Sequence, residues 1–176
     1  MIQSAISSAW AKLRKAEPIP AILLGYLCGL LWSFLHTLWT KPTLSWELSP
    51  LPFGDGFYAL AAAELPFWML CTLSGFGKFP RLPLCPILLR SFVWGLGSFT
   101  VCLAAGKSAL YVLYVLGGAL TLLPLACLAK LAMRYAASGK RLGWGDHLRY
   151  LYQCLYYWGL TLILLFIRGT ANAIFC

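Results

Sequence analysis

Between Ile19 and Trp39 the chain carries no Asp, Glu, Lys or Arg, and four more apolar stretches follow at Phe57–Phe76, Leu84–Ala105, Ser108–Leu131 and Tyr150–Ile167. Each of these is broken by at most one charged residue. About 20 apolar residues cross ~30 Å of hydrocarbon as a helix, so every stretch is long enough to span a bilayer. Only 11% of the residues are charged, whereas a soluble domain carries about twice that share. Hydrophobic residues make up 61% of the chain and the mean hydropathy is +0.77. The expected architecture is all-α: a polytopic membrane helical bundle of about five transmembrane helices. Residues 1–176 form a single integral membrane domain, because no connecting segment is long enough for a soluble one.

Turn and breaker residues separate the spans at Lys41-Pro42, Gly77 to Pro83, Gly106-Lys107 and Ser138 to Gly145. The third and fourth spans are joined so tightly that they must form a helical hairpin. The first apolar run exceeds the h-region of a signal peptide and is expected to be retained. Ahead of it, Ile2, Ile6, Trp10 and Leu13 recur at helical spacing beside Lys12, Arg14 and Lys15. Residues 1–17 therefore read either as a short helix on the membrane surface or as a basic leader that sets orientation.

The net charge of +9 is distributed unevenly. Lys12, Arg14, Lys15, Lys78, Arg81, Arg134, Lys140, Arg141 and Arg149 fall on one side of the expected topology. Lys41, Lys107 and Arg168 fall on the other, with Glu47 and Asp55. The positive-inside rule then puts the N-terminus in the cytoplasm. Basic residues dispersed over separate loops suit anionic lipid and give no nucleic-acid pattern. The seven cysteines lie one or two to a span with no C-x-x-C pair. Buried thiols of that kind behave as small hydrophobes, so neither a metal site nor a cofactor is expected.

No metalloprotease, nucleophile-elbow or phosphate-loop signature is present, and no catalytic residue is expected. Ser98 with His36 is the best nucleophile–base pair on offer, and a weak one. Asp146 reads as a helix N-cap. Charges within the spans are the better functional candidates. Lys130 and Arg168 lie near span ends, where long stems snorkel. Arg90 lies about 9 Å inside the third span. It reads as an anchor reaching headgroups or the carbonyls of Phe76–Pro83, or as a specific structural or partner contact. Glu64 lies about 10 Å inside the second span, and a carboxylate is too short to snorkel well. It is expected to be protonated, paired or facing a protein-lined cavity. Arg90 enters from the opposite side and is expected to be a poor partner; Lys107 or Arg168 matches its depth better. Alternatively Gly56–Leu65 lies on the surface and Pro66 opens a shorter span.

Gly25, Gly29 and Ser33 line one face of the first span, and Ser91 and Gly95 line one face of the third. Small residues at this spacing let helix backbones approach closely, either within the chain or in a homo-oligomer. Tyr150, Tyr152, Tyr156, Tyr157 and Trp158 crowd the first half of the fifth span, as anchors or as a partner surface.

The stretches "GKFPRLPLCPILLR", "SFVWGLGSFTVCLAAG" and "KSALYVLYVLGGALTLLPLACLAK" together resemble the stage II sporulation protein M family over roughly Thr72–Met133. The resemblance rests on a proline-containing turn, a basic residue at Arg90, a glycine at Gly95 and a late proline at Pro124. The chain departs from that pattern in having Gly117-Gly118 where relatives often carry a polar or acidic residue with a proline. Its Thr40–Gly56 segment is also shorter. The resemblance implies a non-catalytic scaffold in a bacterial cell membrane. Such a scaffold recruits membrane-anchored peptidoglycan hydrolases for septal wall remodelling during engulfment, in endospore formation. The other reading is a small permease or transporter subunit, with Glu64 as its working carboxylate.

Overall fold

The computed structural model describes residues 18–40, 53–104, 108–138 and 143–175; the side chains of 40, 53–56, 104, 108–110, 113 and 171–175 are not described. The expected surface helix at 1–17, and Lys107, fall outside these residues. The regular structure among the described residues is all helical: α1 (Ile19–Thr40), α2 (Phe53–Ser74), α3 (Leu84–Ala104), α4 (Ser108–Ala137) and α5 (Trp144–Phe175). All five are long and apolar enough to cross a membrane. In hydrocarbon a helix satisfies its own backbone N–H and C=O groups, which is why each apolar run takes this form.

The helices outrun the apolar stretches, since hydropathy marks the hydrocarbon and not the hydrogen-bonded element. α2 is continuous through Pro66, and no surface helix ends there. Its end is turned by Gly75 and Gly77, with Gly75 N–H bonded to the Thr72 carbonyl at 3.2 Å and Gly77 N–H to the Ser74 carbonyl at 3.1 Å. α5 starts at Trp144, with Asp146 in its first turn. Asp146 is not the cap itself: its Oδ2 accepts from the Gly143 N–H at 3.1 Å. That is the third helical residue reaching back to the cap, half of a capping box.

Helices α2, α3, α4 and α5 pack in that cyclic order, and α2 also touches α4 across the middle. Their shared core holds Trp68 and Cys71 of α2, Ile87 and Trp94 of α3, Leu125 and Leu128 of α4, and Tyr150 and Cys154 of α5. α1 lies outside this group, docked along α3. Its far side leaves Leu23, Leu27, Leu31, Trp32 and Leu38 exposed, an apolar face suited to lipid chains.

The α1–α3 seam is built from absent side chains. A methyl added at Gly29 would run into the Phe92 carbonyl and stand 3.1 Å from the Gly95 Cα. One added at Gly25 would sit 2.9 Å from the Ser91 Cβ and 3.2 Å from the Leu88 carbonyl carbon. Ser33 donates its hydroxyl to the Leu96 carbonyl at 3.3 Å, and Tyr26 packs its ring on Trp94 with centroids 4.3 Å apart. The small faces of the first and third spans therefore pack against each other within one chain. Further along the bundle, Pro124 is buried inside α4.

Candidate functional site

Glu64 of α2 and Arg90 of α3 meet in the bundle interior. Arg90 Nε donates to Glu64 Oε2 at 2.6 Å, and Arg90 Nη2 donates to Glu64 Oε1. Two parallel bonds from the planar guanidinium to both carboxylate oxygens make a bidentate pair, the strongest geometry open to these groups. The side chains are only 9% and 5% exposed, and this is the sole ion pair among the described residues.

The pairing corrects two expectations. Arg90 is not an interfacial anchor, and it is the partner of Glu64. Depths counted from opposite faces of a nominal slab made the two look distant. Counted from the turn that joins α2 to α3, Glu64 lies roughly 15 Å from Ser74 and Arg90 roughly 9 Å from Leu84 at 1.5 Å per residue. An offset of about 6 Å is within reach of an arginine stem.

Beside the pair is a cleft of about 60 Å³ between α2 and α5, lined by Ala61, Glu64, Trp68, Trp158, Thr161 and Leu165 among others. It has room for water-sized groups but is well below the size of an ordinary ligand pocket. Thr161 turns its hydroxyl to its own helix, donating to the Tyr157 carbonyl at 3.0 Å. The indole N–H of Trp68 has no hydrogen-bond partner among the described residues.

Arg168 does not simply reach for an interface. Its guanidinium lies over the Tyr114 ring, 5.3 Å from the centroid. Its Cδ and Nε are each 3.1 Å from where a Gly117 Cβ would stand. The Gly117-Gly118 pair thus makes two grooves on α4. One takes the Arg168 stem, and the other takes the Trp94 indole.

At the other end of α5, Tyr150 donates to the Thr72 carbonyl at 2.8 Å and Trp158 Nε1 donates to Thr72 Oγ1 at 3.2 Å. Tyr135 stacks on Tyr150 with centroids 4.1 Å apart and is hydrogen-bonded to His147 Nδ1. This group ties the end of α2 to α4 and α5. Of the tyrosines crowded here, Tyr152 and Tyr156 are exposed while Tyr150 is buried. Lys130 is also exposed.

Ser98 is buried and donates to the Trp94 carbonyl of its own helix at 2.8 Å. No group of three or more metal-ligating side chains occurs among the described residues. Sequence reading missed the Tyr114–Gly117–Arg168 contact and the role of Thr72. The double glycine opposite a lone arginine was the available signal for the first; nothing local marked the second.

Fold and site together define a helical membrane protein whose interior acid is closed by an arginine. No protein-family model, curated protein or solved structure matches the chain.

Proposed function

We propose that the chain is a non-catalytic integral membrane scaffold of a bacterial cell membrane, holding other membrane-anchored proteins in one complex. One observation carries this reading: both oxygens of Glu64 are occupied by Arg90. A carboxylate that loads and releases protons or ions must part from its counter-charge to do so, and a buried guanidinium bonded to both of its oxygens opposes that exchange. The pair instead fixes α2 against α3. The partners come from the sequence resemblance. Arg90, Gly95 and Pro124 match the stage II sporulation protein M pattern, whose members gather peptidoglycan hydrolases during engulfment.

The cleft beside Glu64 favours a second reading, a small permease subunit, in which the pair opens during transport. Co-purification from sporulating cells in mild detergent separates the two. Recovery of cell-wall hydrolases supports the scaffold, and recovery of a nucleotide-binding ATPase subunit supports the permease. Recovery of the protein alone contradicts the scaffold.

A further inference from the structure

Arg168 makes no ion pair and no side-chain hydrogen bond among the described residues, while Arg90 uses the only described carboxylate near it. Among the described side chains one acid therefore faces two guanidiniums, and Arg168 lies within electrostatic reach of both Glu64 and Arg90. A guanidinium cannot shed its proton to escape this situation. Nor is it free to extend away, because Gly117 seats its stem and Tyr114 covers one face of its charged head. Ring contact satisfies the face of a guanidinium, and among the described residues no acceptor meets the N–H edge of Arg168.

Position narrows what can bind that edge. Arg168 lies one turn beyond Leu165, on the helical stripe Trp158, Thr161, Leu165 that lines the cleft. It also lies two residues from the end of the apolar part of α5, which runs Trp144–Thr170. An arginine at the end of a span sits at the depth of lipid headgroups, where phosphate oxygens are the abundant anions.

We propose that the N–H edge of Arg168, held by Gly117 and Tyr114, is a binding site for a phosphate-type oxyanion at the end of the α4–α5 seam. The fork geometry of arginine matches two phosphate oxygens at once. The phosphate is either the headgroup of an anionic phospholipid or a free ion, and the same site takes both by the same contacts. This inference is independent of the scaffold reading.

The test uses the delipidated full chain in neutral detergent, with thermal unfolding followed against added phosphatidylglycerol or against inorganic phosphate. Native mass spectrometry counts the bound lipid. The wild type is expected to unfold several degrees higher with at least one of the two ligands, and the one that acts at the lower concentration identifies the source. Arg168→Gln should weaken that ligand at least tenfold, and Arg168→Lys should keep part of the affinity as a point charge. Should Arg168→Gln not fold, Gly117→Ala serves, since its methyl displaces the stem while keeping the charge; it should weaken binding severalfold. The proposal is overturned if neither ligand stabilises the wild type. It is equally overturned if the variants that fold respond as the wild type does.

Discussion

Replacing Gly29 by alanine adds one methyl group at the tightest point of the α1–α3 seam. That methyl would collide with the Phe92 carbonyl oxygen and stand 3.0 Å from the Leu96 nitrogen and 3.1 Å from the Gly95 Cα. All three are backbone atoms, which no rotamer change can move. Carbon atoms pack at about 3.5–4.0 Å, and a gap of 0.5–1 Å forfeits roughly a quarter to a half of each contact along a seam. The cost therefore belongs at the upper end of the overpacking range, about 3 kcal/mol. Alanine's better helix propensity returns about 1 kcal/mol, leaving a net loss of about 2 kcal/mol. Gly159→Ala is the matched control, because nothing lies within 4 Å of its added methyl; it should be neutral or stabilising by up to about 1 kcal/mol. Reversible unfolding in mixed micelles measures both. Equal stabilities for Gly29→Ala and Gly159→Ala would refute the claim that this seam is set by backbone contact.

Tyr150→Phe removes the bond to the Thr72 carbonyl while keeping the ring stack on Tyr135. It should cost about 1 kcal/mol in the same unfolding assay. Ser98→Ala removes only a bond to its own helix, so stability should change by less than about 0.5 kcal/mol and co-purification should be unaltered. Loss of the complex in Ser98→Ala protein of normal stability would point to chemistry at that hydroxyl.

The sequence made the helices legible because apolar runs of membrane length admit few alternatives. It also marked Gly25, Gly29, Ser33, Ser91 and Gly95, since small residues at four-residue spacing are a direct statement about backbone approach. It did not show that these faces meet each other, because facing is a property of two helices and periodicity reports on one. The Glu64–Arg90 pair was lost for a related reason. Depth in a slab depends on where each helix starts, and α2 starts four residues before its apolar run. Nor did anything near Thr72 announce that Tyr150 and Trp158, some eighty residues on, would both bond to it.

The bidentate pair makes the Glu64 carboxylate a structural group that joins α2 to α3. A thermodynamic cycle of Glu64→Leu, Arg90→Leu and the double variant, read by unfolding and by recovery of partners, tests the structural role of the pair most directly. Glu64→Leu strands a guanidinium that cannot neutralise itself and should cost about 3–5 kcal/mol. Arg90→Leu should cost less, since a stranded carboxyl can take up a proton. The double variant should return to near wild-type stability, because an apolar pair of similar volume replaces a buried ion pair at little net cost, and it should recover its partners. The account is contradicted if Glu64→Leu alone is as stable as the wild type, or if the stable double variant has lost activity that depends on the carboxylate.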